Sequence, residues 1–232
     1  RSWHRWVVEN KLWEKFMQGY LASISYTDHQ IGRLLDALDA SPLRDNTIVV
    51  LWSDHGFHIG EKENWEKFTL WRQGTRVPLF IHAPGQSRDG RETRQPATLT
   101  DLYPTLCELA GLPVPEQCTG ASLVPQLRNP AASRTRPALT SYQFGKEPAP
   151  SHSVADARYH LIRYGNGFEE LYDFEADPRE YTDRAADPVL ADVRSRLAKG
   201  IPVDAAPNRG VPADSKYNLK GRVPGKNKQA RP

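Results

Sequence analysis

Residues 51–68 read LWSDHGFHIGEKENWEKF, an apolar run that ends abruptly in Asp54-His55-Gly56 and is followed on a Trp-containing segment by Lys67. An acid, an imidazole and an ammonium gathered past the end of a buried strand are costly to fold around unless something binds there. In open α/β sheets ligand sites gather beyond the carboxyl ends of strands, which is where Asp54 and His55 fall. An aspartate at such a mouth can ligate a hard divalent cation, and an adjacent imidazole can share it. Lys67 offers a compact positive charge to the non-bridging oxygens of a sulfate or phosphate. Together they suit a tetrahedral oxyanion held between metal and ammonium, where charge builds up during ester cleavage. The bland alternative is that Asp54 caps a turn and His55 is a satisfied core histidine. Spacing alone leaves both open. Around this trio lie His58, Trp65, Trp71 and Arg72, candidates for the lining of a ligand pocket. The two tryptophans also suit plain packing.

The elements that must position these groups follow from periodicity. Tyr20, Ile24, Ile31, Leu34, Leu35 and Leu38 recur at helical spacing, predicting a helix that begins near Glu9. ASPLRDN, residues 40–46, breaks it with Pro42 and turn formers. TIVVLW, residues 47–52, is a β-branched run without alternation, as expected of a strand buried on both faces. TRVPLFI, residues 75–81, reads as a second buried strand, and APGQSRDGRETRQP as a surface loop. Thr100 is a good N-cap for a helix running through Ala110, stopped by Gly111 and Pro113. Helix, strand, strand and helix in this order predict an α/β fold with a parallel or mostly parallel sheet flanked by helices. Gly56 is expected to relieve the backbone where the chain turns after the strand.

Beyond about Arg134 the character changes. YHLIRYGNGFEELYDF, residues 159–174, has two strand-like runs about Gly165-Asn166-Gly167, a hairpin signal. A smaller antiparallel C-terminal subdomain is expected there, then a short helix near Val189 to Leu197. This divides the chain into residues 1–133, 134–200 and a basic Pro- and Gly-containing tail, 201–232. From Arg209 onward the tail carries Lys216, Lys220, Arg222, Lys226, Lys228 and Arg231 against Asp214.

The 232 residues carry a net charge of only +3, concentrated in that tail, so nucleic acid is not the expected partner. No stretch approaches the roughly 20 apolar residues of a membrane span. Cys107 and Cys118 make neither a disulfide framework nor a zinc site. Cys107 is expected in the core.

YLASISYTDHQIGRLLDALD, NTIVVLWSDHGFHIGEK, TRVPLFIHAPG, LTDLYPTLCELAGLPVP and EELYDFEADPRE resemble, in order and spacing, successive blocks of the type I sulfatase family. The likeness is strongest to its iduronate-2-sulfatase branch and spans about Glu9 to Asp187. It implies the alkaline-phosphatase-like fold, a sulfuric ester hydrolase activity on a sulfated carbohydrate or small sulfate ester, and one calcium ion. By the same resemblance Asp54 and His55 are calcium ligands, and Lys67 contacts the sulfate. The family nucleophile, a formylglycine made in a C/S-x-P-x-R motif, finds no match here. The remaining acidic metal ligands are not matched either. The resemblance therefore implies a C-terminal half whose nucleophile lies in an N-terminal sulfatase segment or chain. It also favours a periplasmic, secreted or lysosomal setting. Two other readings go with the same residues: an inactive remnant that binds anionic glycans, and a phosphate or phosphonate ester hydrolase of the same superfamily.

Overall fold

The computed structural model describes residues 2–87, 90–145 and 149–204. Two helices open the chain, α1 (Ser2–Glu9) and α2 (Trp13–Asp39). They are separate because Lys11 takes a left-handed φ of 53°, and the Asn10 amide donates 2.8 Å back to the Trp6 carbonyl, closing α1. The expected start near Glu9 therefore moves to Trp13. None of the side chains of α2 is buried, and Leu34 on its apolar stripe is 71% exposed.

The next elements are β1 (Val49–Trp52), a short hairpin of β2 (His58–Ile59) and β3 (Trp65–Glu66), the single-turn α3 (Arg72–Thr75) and β4 (Leu79–His82). β1 pairs with β4 in antiparallel register, Val49 opposite His82 and Trp52 opposite Leu79. This pair departs from the parallel or mostly parallel sheet expected from the order of elements. A parallel return ordinarily runs through a crossover helix, whereas residues 53–78 fold into the β2–β3 hairpin and the single turn of α3. Both strands are also only half-buried. Every strand pair among the described residues is antiparallel.

α4 (Leu102–Leu109) and α5 (Val124–Arg128) follow. A turn of 3-10 helix, Leu99–Asp101, leads into α4, and its cap is Thr98 rather than Thr100. Thr98 and Asp101 cap each other's backbone N–H groups reciprocally. Asp101 is fully buried and also accepts from the Ala121 N–H and from Arg134, which ties α4 to the chain entering the C-terminal sheet. Leu109 and Val124 pack with Ala83, Ile48 and Ile81 over the β1–β4 pair. Cys107 is buried, and neither cysteine is in a disulfide.

The last unit is a four-stranded antiparallel meander, β5 (Ala138–Tyr142), β6 (Ser151–Ala155), β7 (Tyr159–Arg163) and β8 (Glu169–Asp173), followed by α6 (Ala191–Ala198). The hairpin anticipated around Gly165–Gly167 joins β7 to β8, with Gly167 at φ 86°. Alternate side chains serve opposite faces. Val154, Leu161 and Leu171 meet Leu190, Leu197 and Ile201 on the α6 side. Ile162 and Tyr172 meet Leu70 on the other. No helix among the described residues is long and apolar enough to cross a membrane. The basic tail from residue 205 onward lies outside the described residues.

Candidate active site at the end of β1

Immediately after β1 the chain is pinned from three sides. The Ser53 hydroxyl donates 3.0 Å to the His55 carbonyl, and the Gly56 N–H donates 2.9 Å to the Gly74 carbonyl. A Cβ on Gly56 would stand 2.0 Å from the Gln73 carbonyl oxygen, and Gly56 has no positive φ. Close approach of two loops, rather than a sharp turn, is what requires glycine here. Asp54 stands with its side chain 78% exposed beside the His55 ring, Oδ1 3.6 Å from Nε2.

Lys67 Nζ lies 2.7 Å from the same Nε2. An ammonium has only donors, so Nε2 accepts, and Nδ1 carries the proton it donates 2.8 Å to the Gly56 carbonyl. That tautomer leaves the Nε2 lone pair directed at whatever cation stands beside it. The three groups singled out by the sequence are therefore together, at one end of one strand.

Lys67 is carried there by the β2–β3 hairpin and held by the loop behind it. The Thr69 N–H donates 2.8 Å to the Lys67 carbonyl, and Thr69 Oγ1 lies 2.7 Å from His58 Nε2. His58 is completely buried, so it braces this loop from inside and does not line an accessible pocket. Burial holds its pKa below the ordinary histidine value, against the opposing charge of Glu61.

Trp65 and Arg72 also differ from expectation. Trp65 packs edge-on against Trp13 and Phe16 and donates to His4 Nδ1 at 3.3 Å. The Arg72 guanidinium stacks 4.2 Å over the Phe174 ring. Trp71 donates 2.6 Å to Glu170. Large amphipathic side chains flanking such a lysine look alike in sequence, whether they face a ligand or the neighbouring sheet.

The docking of this loop onto the C-terminal sheet was not legible in the sequence. Lys62 Nζ donates 3.0 Å to the Tyr172 hydroxyl and sits over the rings of Trp71 and Tyr172. The Tyr172 hydroxyl in turn donates 2.7 Å to Glu170. Burial and the neighbouring Glu170 raise the Tyr172 pKa, which keeps it a donor, and burial lowers that of Lys62. Buried Glu180 accepts 2.7 Å from the Arg72 N–H and 2.5 Å from His160 Nδ1.

Two ligands at about 2.4 Å from one hard cation and at right angles stand about 3.4 Å apart. The 3.6 Å between Asp54 Oδ1 and His55 Nε2 meets that requirement. Among the described residues no group of three or more His, Cys, Asp or Glu is placed to hold a metal. The pair therefore fits as part of a coordination shell and not as the whole of one.

Residues 60–204 match the family described as N-sulphoglucosamine sulphohydrolase, C-terminal, and residues 5–112 match the family described as Sulfatase. The chain belongs to the sulfatase family. A sulfatase of Formosa agariphila is 39% identical over 180 residues, which cover 78% of this chain and 34% of that protein. Iduronate 2-sulfatase of Mus musculus is 40% identical over 128 residues, 45% of this chain and 23% of that one. Among solved structures, one determined in complex with its substrate D-glucosamine-2-N,6-O-disulfate superposes with a TM-score of 0.70 at 29% identity. That match covers 81% of this chain and 40% of the other. This sulfatase chain has the alkaline-phosphatase-like fold. It spans about a third of the length of the first curated relatives it matches.

Proposed function

We propose that this chain supplies part of the active site of a calcium-dependent sulfuric ester hydrolase acting on a sulfated carbohydrate. The observation that carries the reading is the convergence of Asp54, His55 and Lys67 at the end of β1. Asp54 and His55 would hold the ion, Asp54 through Oδ1 and His55 through Nε2. Bound calcium would polarise a sulfate oxygen, and a formylglycine outside this chain would provide the nucleophile. Gly56 keeps the His55 tautomer correct by accepting from Nδ1. With Nε2 turned to the ion, Lys67 is released to donate to the non-bridging sulfate oxygens. There it stabilises charge that grows as the ester bond breaks.

An N-terminal sulfatase segment or chain completes the site in this reading. Two observations support it: the unburied apolar stripe of α2, and a cavity of about 770 Å³ over β1 and β4 lined by Leu51, Phe80 and Leu127. Apolar surface of this kind is ordinarily covered. A secreted, periplasmic or lysosomal setting goes with the same reading.

The test is turnover of a chromogenic sulfate ester, with calcium and after chelation, beside the matched phosphate ester. The expected result is calcium-dependent cleavage that prefers sulfate. Binding of sulfated glycans without any cleavage, even together with the N-terminal segment, would favour an inactive glycan-binding protein. A preference for the phosphate ester would overturn the sulfate assignment.

A further inference from the structure

Across the C-terminal sheet from the lysine loop lies a second cavity, of about 710 Å³. Leu70 of the lysine loop packs on one face of that sheet, with Ile162 and Tyr172. Leu197, which lines the cavity, packs on the other, with Val154 and Leu161. The cavity shares no lining residue with Asp54, His55 and Lys67. The chain entering β5 contributes Arg134 and Arg136 to it, the β6–β7 turn Arg158, and the end of α6 Arg196 and Lys199. Asp156 is the one carboxylate among its described lining residues.

The fold neutralises only part of this charge. Arg196 Nη2 donates 2.6 Å to Asp156 Oδ2, and Arg158 pairs with Asp173 and Glu175. Asp156 is engaged at its other oxygen as well, because Oδ1 accepts from the N–H groups of Arg158 and Tyr159 and so closes the β6–β7 turn. Arg136 and Lys199 are exposed and make no ion pair among the described residues. The carbonyls at the end of α6 do not oppose an anion strongly, since Leu197 and Ala198 accept from the Gly200 and Ile201 N–H groups.

Arg134 is the group the fold leaves unexplained. Its side chain is only 7% exposed. Nη2 donates 2.6 Å to Asp101 Oδ2, and the backbone N–H donates 3.2 Å to Gln95 Oε1. With one end pinned on a fully buried carboxylate, the flat guanidinium keeps a fixed plane. Its Nε is buried without a hydrogen-bond partner. Buried donors are ordinarily paired. An oxyanion drawn into the cavity brings the acceptor that this donor lacks, and charge-assisted bonds from guanidinium to such oxygens are strong ones.

We propose that this cavity is a second anion site, separate from the end of β1, which binds a doubly charged tetrahedral oxyanion between Arg134, Arg136 and Lys199. Phosphate and sulfate share that chemistry, as does the headgroup of a phosphate monoester. The volume exceeds that of one such ion, which leaves room for the remainder of an ester. The site needs neither calcium nor the lysine at position 67.

The experiment is calorimetry at pH 8 with inorganic phosphate, inorganic sulfate and methyl phosphate. The proteins are the unaltered chain, Lys67→Ala, the double variant Arg136→Ala/Lys199→Ala, and a control, Lys15→Ala/Arg33→Ala, which removes two exposed cations of α2. The cavity double variant is expected to weaken phosphate about tenfold, the scale of two partly exposed charge contacts. Lys67→Ala and the control should each move it less than twofold. Methyl phosphate binding within twofold of phosphate makes the site one for a headgroup, and binding more than tenfold weaker makes it one for the free ion; both fit the proposal. Equal weakening by the cavity and control pairs would overturn it, because the attraction would be diffuse. So would loss of binding in Lys67→Ala alone. Binding that disappears when an N-terminal sulfatase segment is added would give the cavity to an acidic stretch of polypeptide and overturn the small-anion assignment. In the nitrogen NMR spectrum the Arg134 Nε–H signal, identified by its loss in Arg134→Lys, should shift on saturation with phosphate. An unmoved signal would overturn the role of Arg134 and with it the site.

Discussion

Lys67 Nζ and His55 Nε2 stand 2.7 Å apart, with Asp54 Oδ1 3.6 Å from the same nitrogen. The ammonium thus occupies the direction from which a cation would meet the imidazole lone pair. Ammonium and metal ion compete for one acceptor. Lys67→Ala is therefore expected to tighten calcium binding about two- to fivefold, the scale of a partly exposed electrostatic contact. The same change should lower kcat for a sulfate ester about 10²–10³-fold, the usual effect of removing one donor to a developing oxyanion. Calcium titration and steady-state kinetics on the same variant read the two effects separately. Weaker calcium binding in Lys67→Ala would show that the lysine supports the ion and does not compete with it.

Gly56→Ala tests the packing that aims His55. The added methyl would lie 2.0 Å from the Gln73 carbonyl oxygen and 2.9 Å from that of Arg76, both backbone atoms. Neither can swing aside as a side chain end would. The expected cost is about 3 kcal/mol or more, at the upper end for overpacking a tight site. Urea denaturation should show a lower midpoint at an unchanged slope. A midpoint within a few tenths of a kcal/mol of the parent would mean the two loops part easily.

The reach of the sequence can be judged from particular residues. Asp54, His55 and Lys67 were legible because a strand end fixes where its next residues lie, and the family blocks carry the lysine. The β7–β8 hairpin was legible from Gly165-Asn166-Gly167, since turn chemistry is local. The antiparallel β1–β4 pairing was not, because two short apolar runs carry no orientation. That information lies in how residues 53–78 between them fold, as a hairpin and one helical turn in place of a crossover helix. Nor was burial of His58 legible. A histidine on a two-residue strand has no pattern to show its face, and Thr69, its partner, is set by a loop. Glu170, Tyr172 and Glu180 were missed for a related reason: their partners lie about a hundred residues away along the chain.

Two histidines predict an acid-sensitive fold. Burial holds the pKa of His58 below the ordinary 6.5, and burial followed by the Arg163 charge does the same for His152. Below pH 6.5 the unfolded chain takes up protons that the folded chain refuses. Stability is therefore in place above that pH and falls as the pH drops toward the folded values, by at most about 1.4 kcal/mol per pH unit per group. Urea midpoints measured on both sides of pH 6.5 should show the decline. His58→Gln keeps a donor for Thr69 Oγ1 but cannot protonate, so it should flatten the curve. A parent protein with no decline would contradict the assignment of neutral buried imidazoles.

Glu180 offers the last test, of how the lysine loop is held against the C-terminal sheet. Its carboxylate is 1% exposed, and its backbone takes a left-handed φ of 60°. Such a conformation costs of order 1 kcal/mol or more and persists only where surrounding bonds require it. Here those bonds are to the Arg72 N–H and to His160. Glu180→Ala leaves a part-buried N–H and a buried imidazole without their acceptor, at an expected cost of about 3 kcal/mol. Glu180→Gln keeps the shape and one acceptor oxygen, so it should be the milder change. Amide exchange separates a local effect from a global one. In Glu180→Gln the Arg72 and Thr69 amides should exchange faster, while Leu161 and Leu171 in the sheet core keep their protection. Loss of protection throughout the sheet would make Glu180 a part of the sheet's own stability, leaving the lysine loop to be held by Trp71, Leu70 and Lys62.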